Sequence, residues 1–405
     1  MDVNDGLNAW GKPATSSGMK IALVIPVLGP GGAALVARNL ALGLAARGHQ
    51  VLVCAVRRFA DRAIVEAHYG RLFSTEGVTI VEGVDLRVRS PRALLRAGCF
   101  LRDAIARFEP DVIHSHCELP DLLVSLFTRG IHVPKVRSSH IDPYFNNFLP
   151  PLLGRFAEHA LNAFGGWSRV VAISEQTRRL NSRSAPTVLI YNGLVDQAHP
   201  PVRTRHAPDG VLRAAIVARY ERRKGQLGFL KHWQKCEPGP GARPFVVSLY
   251  GEGRDRAEIE KLARSLGEKV IIAGWVSDQD SIYCGIDVLL IPSIAEGLSS
   301  VMVEALARGI PVLSFSVSGT ADIFGGHDHD AVVSSFGEML ARLDAHRLPT
   351  VADDFVGDLR QKFSIMTFCD RHCALYRELI GSRQKAAGGI EYPLAGHEAA
   401  AVKVR

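Results

Sequence analysis

Short apolar runs alternate with amphipathic stretches along most of the chain, the pattern of a parallel α/β sheet. Lys20–Val27 reads as a buried strand, followed by a glycine turn and a helix over Ala33–Arg47 that stops at Gly48. The pattern predicts further strands at Gln50–Val56, Asp111–His114, Val170–Ile173 and Val188–Tyr191. After the proline-bearing stretch His199–Gly210 it restarts, with strands at Leu212–Ala218, Phe245–Tyr250, Val270–Ala273, Asp287–Pro292 and Pro311–Phe315. Two successive parallel-sheet halves follow, meeting near residue 200. In such sheets ligands bind beyond the carboxyl ends of the strands, so the cleft between the halves is where chemistry is expected.

Length and composition narrow this reading without changing it. A chain of 405 residues with 47% hydrophobic and 22% charged residues suits two globular domains. No apolar run reaches the roughly 18 residues of a membrane span. Residues 1–18 have neither a basic start nor an apolar core, so they read as a flexible leader and not a signal peptide. The tail from about Arg383 reads likewise. Seven scattered cysteines form no disulfide or zinc framework; they point to the cytoplasm and to small buried apolar residues.

Charge is uneven. Residues 1–198 carry 22 Lys and Arg against 16 Asp and Glu, and residues 199–405 carry 26 against 25, so the excess lies in the first half. Arg87, Arg89, Arg92, Arg96, Arg102 and Arg107 interleave with Leu94, Leu95, Phe100, Leu101 and Ile105 at helical spacing. That stretch is either an ordinary solvated helix with a core-facing stripe or one that lies on an anionic membrane. A nucleic-acid partner is not indicated, since no recognition motif accompanies the basic groups.

Three segments carry candidate chemistry. Gly29–Ala34, with Gly31 and Gly32, turns from strand to helix and exposes amides suited to an anion. It fits the loose G-x-G-x-x-A fingerprint, and Arg57 and Arg58 end the next strand where a 2′-phosphate could sit, which keeps an NADP-dependent oxidoreductase as a rival. Arg219 and Lys224 lie five residues apart after the first strand of the second half, placed to grip a diphosphate. Glu296 and Glu304 flank a strand–loop–helix junction whose loop amides, Gly297, Leu298, Ser299 and Ser300, favour a phosphate.

Together the last two segments resemble the retaining GT-B glycosyltransferases of the large GT4 family, over about Lys20 to Ile380. Glu296 and Glu304 match its E-x7-E element, and Arg219, Lys224 and Gly225 its R-x4-K-G element. Asn192-Gly193 is similar to the segment closing the first domain, and Val171–Ser174 to the strand before it. Gly274, Trp275 and Val276 resemble the lining of the nucleotide base, with Gly251 also on the donor side. His140 matches a histidine at the reaction centre, while His116 and Asn192 would lie toward the acceptor and His114 reads equally well as core. The pattern departs at Ala34, where an acid is usual, and at Phe324–Ala331, which reads as a polar surface loop.

The resemblance implies two Rossmann-like domains: an acceptor domain over 20–198 joined by a crossing helix at 364–382, and a donor domain over 199–363. It implies hexosyl transfer from a UDP- or GDP-sugar to a saccharide or lipid-linked saccharide in cell-envelope synthesis. Arg219 and Lys224 would do the work of a metal, so no metal or other cofactor is expected. The expected location is cytoplasmic, with peripheral contact at the inner membrane face. A degenerate fold member that only binds sugar or scaffolds other proteins is the second rival.

Overall fold

A computed structural model describes residues 18–388 apart from Pro30, 85–89, 141–150, 195–209, Pro238, Pro240, 277–278 and 326–329. Residues 1–17, Arg87, Arg89, most of the 199–210 junction, the centre of the Phe324–Ala331 loop and the end of the tail lie outside the described residues.

The first sheet has seven parallel strands: β1 (Lys20–Val27), β2 (Gln50–Arg57), β3 (Val78–Val84), β4 (Val112–His116), β5 (Lys135–Ser139), β6 (Arg169–Ala172) and β7 (Thr187–Leu189). Their order is β3-β2-β1-β4-β5-β6-β7. The second sheet has β8 (Leu212–Val217), β9 (Phe245–Tyr250), β10 (Val270–Gly274), β11 (Val288–Ile291) and β12 (Val312–Ser314), in the order β10-β9-β8-β11-β12. Each sheet therefore reverses direction beside its own first strand, between β1 and β4 and between β8 and β11. These are the two positions where a crevice opens above the strand ends.

Each sheet is covered on both faces, which is why its central strands are apolar throughout. On the first sheet one face packs the helices Gly32–Ala45 and Arg62–Phe73 through Val36, Leu40 and Tyr69. The other face packs the helices Pro91–Phe108 and Glu118–Phe127 through Ala97, Leu101, Ile105, Leu123 and Val124. The terminal helix Ile365–Gly388 returns to the first domain and adds Ile365, Phe368, Cys373, Tyr376 and Leu379 to its core. It runs past residue 382, so residues 383–388 are helix where the sequence suggested a flexible tail. Leu194 bridges Ser364, tying the end of the first domain to the start of this helix.

Two expectations fail. Strand β3 has no counterpart in the apolar pattern because it is an edge strand whose described side chains are half-buried or exposed. The cysteines are not uniformly buried: Cys54, Cys369 and Cys373 are, but Cys99, Cys236 and Cys284 are exposed on helices or turns whose inner faces other residues fill. Leu94 and Leu95 point outward from the basic helix, while Ala97, Leu101 and Ile105 form its core-facing stripe.

Candidate active site

The second domain's site is built at the β8–β11 crevice. Tyr220 is fully buried, and its hydroxyl donates to the Leu249 carbonyl at 2.9 Å, which anchors the loop after β8. Arg219 stays half-exposed with Nη1 2.8 Å from Glu221 Oε1, and Arg223 Nε donates to the other oxygen at 3.0 Å. Burial pushes the Glu221 pKa up, but Arg219 and Arg223 outweigh it and hold the carboxyl below its ordinary value. A single 3-10 turn, Arg222–Lys224, then ends at Gly225. Gly225 has φ of 79° and a Cβ there would sit 1.9 Å from the Pro292 carbonyl oxygen, so only glycine fits. That close approach lays Lys224 against the end of β11. Its Nζ contacts both Glu296 oxygens, at 2.6 and 2.8 Å.

Sequence spacing treats Arg219 and Lys224 as two arms of one clamp. The structure gives them separate carboxylates, Glu221 and Glu296, because the turn between them swings the lysine across the crevice. Gly251 lies at the neighbouring strand end, its amide bonded to the Gly274 carbonyl at 2.7 Å.

Beyond Glu296 the chain runs through Gly297 and buried Leu298 into the helix Ser300–Ala307. Ser299 is its N-cap but makes no side-chain cap, and its buried Oγ has no hydrogen-bond partner among the described residues. The helix N-terminus therefore offers amides, with the positive end of the dipole, to the crevice. Glu304 lies one turn in and is half-buried; the fully buried Tyr283 donates its hydroxyl to Oε2 at 2.7 Å. Burial raises the Glu304 pKa, opposed by that hydrogen bond and by Arg308, which stacks 4.7 Å over the Tyr283 ring. The spacing shows the two glutamates; Tyr283 and Glu221 have no signal of their own in it.

Opposite stands the first domain. A Cβ on Gly31 or Gly32 would meet nothing within 4 Å, so the glycine loop faces open space. His140 follows β5 and is buried, with its Nε2 2.9 Å from His116 Nδ1. The rings of His140 and His116 stack at 5.2 Å, His116 and His114 at 4.4 Å, and His114 and His372 at 5.5 Å. His114 is held by the Tyr376 hydroxyl at 2.6 Å and Ser138 Oγ at 2.8 Å. Burial, then His372 and Arg137, push the His140 pKa down to about 4, so its ring is neutral near pH 7. His116 is 1% exposed and bonded to His140. Asn192 is buried beside Gly193, which abuts Ile365 and Phe368 of the crossing helix.

The two domains touch at the site. A Cβ on Gly297 would lie 2.0 Å from the His140 carbonyl oxygen, so glycine lets the His140 backbone pack directly on the loop that carries Glu296. Asp322 accepts from the Glu175 amide at 3.1 Å and the Tyr191 hydroxyl at 2.7 Å, and Ser174 bonds Ser318 at 3.0 Å. Trp275, 36% exposed, reaches across the cleft edge-on to His68, 5.1 Å between ring centres, with Val276 half-buried beside it.

Two Rossmann-like domains facing one cleft, with the crossing helix returning to the first, define the GT-B fold. The family model described as Glycosyltransferase Family 4 matches residues 30–197, and that for Glycosyl transferases group 1 matches residues 212–343. The chain belongs to this family of glycosyltransferases. It is 24% identical to the 2-deoxystreptamine N-acetyl-D-glucosaminyltransferase of Streptomyces fradiae, over 70% of this chain and 73% of that protein. It is 23% identical to an undecaprenol-linked-glycan α-1,4-N-acetyl-D-galactosaminyltransferase of Campylobacter jejuni, over 83% of this chain and 89% of that one. The solved structure of Anabaena Alr3699/HepE, in complex with UDP and glucose, superposes with a TM-score of 0.70 at 18% identity, covering 89% of this chain and all of that one. Glycosyl transfer in polysaccharide or glycolipid synthesis is thus the activity of the group. The oxidoreductase rival, drawn from Gly29–Ala34 with Arg57 and Arg58, drops out, since both matching family models are of glycosyltransferases.

Proposed function

We propose that the chain moves a hexosyl group from a nucleoside diphosphate sugar to a hydroxyl acceptor, with retention at the anomeric carbon. The observation that carries this reading is the Lys224–Glu296 pair at the β8–β11 crevice with the His140 backbone packed on Gly297. The donor diphosphate would lie at the amides of Gly297 to Ser300, with Arg219 and Lys224 on its oxygens. When the bond from the anomeric carbon to the diphosphate breaks, charge grows on those oxygens, and fixed cations and amides stabilise it without reorganising. Glu296 would take sugar hydroxyls, the neutral His140 another from above, and Glu304 the ribose hydroxyls. The acceptor oxygen would attack the face that the diphosphate leaves, and its proton would pass to the departing phosphate oxygen. No protein nucleophile enters this scheme.

Uridine is the favoured base, given the UDP in the Anabaena complex, with GDP-sugars second. The acceptor is a saccharide, free or lipid-linked, as in the Campylobacter relative, for which the enzyme would meet the inner membrane face from the cytoplasm. The test is a thermal-shift panel of UDP-, GDP-, ADP- and CMP-sugars with NADPH as control. At one hundred times Kd a ligand adds about 2.7 kcal/mol, which shifts a chain this size by several degrees. One selective shift is expected, followed by a product whose anomeric proton coupling matches the donor's. A shift with NADPH alone, or an inverted product, refutes the reading.

Glu304→Gln separates the ribose role from a structural one. It keeps the Tyr283 hydrogen bond but removes the charge, and should raise the donor KM about tenfold, the size of one charge-assisted hydrogen bond, with kcat nearly unchanged. An unchanged KM would remove Glu304 from the donor site.

A further inference from the structure

A second concave site lies at the amino edge of the first sheet, the edge opposite His140. It is a cleft of about 580 Å³ between the segment entering β5, the turn entering β6 and the terminal helix. Lys135 and Arg169 open those two strands, and the helix supplies Leu379 and Arg383. Strand β5 runs from Lys135 to Ser139, so His140 stands about 16 Å away along it. The cleft therefore belongs to neither of the crevices above the carboxyl ends.

Its walls are basic. Arg129, Lys135, Arg169 and Arg383 line it, and no described carboxylate does. Arg169 Nη2 pairs with Glu378 at 2.7 Å. Arg129 and Arg383 are exposed and have no ion pair among the described residues. Lys135 is 7% exposed, and among the described residues its Nζ bonds only the Thr128 carbonyl, at 2.9 Å. Burial, then Arg129, hold its pKa below the ordinary value. An ammonium carries three N–H donors. Here it is withdrawn from water beside another cation, which costs free energy unless an anion joins them.

The rest of the lining sets the kind of occupant. Ile131, Val133 and Leu379 offer apolar surface. The volume falls within the roughly 300–1,000 Å³ of small-molecule sites, which leaves room for a body beyond the anion. We infer that this cleft binds a small phosphate monoester, with Arg129, Lys135 and Arg383 around the phosphate and the carbon body against Ile131, Val133 and Leu379. Guanidinium forks match phosphate oxygens two at a time, and the lysine adds a point charge. Three cations without a counter-charge match a phosphate near its dianion better than the single charge of a carboxylate. The site shares no residue with the proposed donor site, and its existence does not rest on the transfer reaction.

The experiment is isothermal titration calorimetry of the full chain with inorganic phosphate, glucose 6-phosphate, adenosine 5′-monophosphate and glucose. The two esters distinguish a sugar body from a nucleoside one. One of them is expected to bind at least tenfold more tightly than inorganic phosphate, more weakly as salt is added, and glucose is not expected to bind. Arg129→Ala with Arg383→Ala should lower that affinity at least tenfold with the melting temperature unchanged, since neither side chain has an ion pair to lose. Should that variant not fold, Ser382→Asp, which sets a carboxylate on the exposed rim of the cleft, should lower it likewise. Arg219→Ala with Lys224→Ala should leave it unchanged. Loss of binding in that last variant would put the ester in the β8–β11 crevice and overturn the proposal. No binding of either ester, or full binding by the Arg129/Arg383 variant, also overturns it. Equal affinity for inorganic phosphate and both esters overturns it in favour of a simple anion site. None of these outcomes bears on the nucleotide-sugar thermal shift, so the two readings fail separately.

Discussion

Arg219→Ala combined with Lys224→Ala should lower sugar transfer by roughly three orders of magnitude, the scale for removing charge stabilisation from a leaving group. The two cations sit on separate carboxylates, so their losses differ in kind. Arg219 is half-exposed and its partner Glu221 keeps Arg223, so removing it leaves no stranded charge. Lys224 and Glu296 are both mostly buried and hold each other, so Lys224→Ala strands a carboxylate at the strand end. That stranded charge costs stability by itself. The control is therefore Lys224→Ala with Glu296→Gln, which restores neutrality but not activity. Transfer is measured as kcat with saturating donor, and folding by circular dichroism and melting temperature. Activity of the Arg219/Lys224 variant within tenfold of wild type would remove both residues from the reaction.

The same pair shows what the sequence could and could not reveal. R-x4-K-G and E-x7-E were legible because strand, turn and helix signals frame them, and the frame fixes which end of the sheet they occupy. Nothing in the spacing says that Lys224 crosses to Glu296, 72 residues on; the positive φ of Gly225 decides it. The exposure of Leu152, Leu153 and Phe156 on the helix Pro151–Phe164 was illegible for a different reason. Apolar periodicity shows that a helix has two faces and says nothing of which one meets the core. Here the buried Arg137 on β5 draws Glu158 and Asn162 inward. The burial of His116 had no signal either, because a strand's alternation does not reveal that both its faces are covered.

The histidine stack yields the second large effect, on stability. His114, His116, His140 and His372 are all buried, and the crossing helix supplies the last of them from more than 230 residues away. Burial lowers all four pKa values, helped at His114, His116 and His140 by repulsion from His372 and other neighbours, to about 4 for His140 and His372 and well below the ordinary value for His114 and His116. In the unfolded chain each would titrate at about 6.5. Their folded values are lower, so the unfolded state binds more protons between those limits, and stability falls as pH falls. The contribution is fully present above about pH 6.5 and declines as pH falls below it toward the lowered folded values, about 4 for His140 and His372. With four protons taken up on unfolding, the slope approaches about 5 kcal/mol per pH unit. A domain stable by about 5–15 kcal/mol would lose its margin within roughly two to three units. Urea midpoints followed from pH 7.5 to pH 5 should therefore collapse, reversibly, well before the carboxylates titrate. His372→Gln, whose side-chain amide can replace the Nδ1 bond to the Phe368 carbonyl, should make the slope about one quarter shallower. A midpoint that stays level to pH 5 would mean that the stack is charged or open in solution, and His140 could then no longer be treated as a neutral donor beside Gly297.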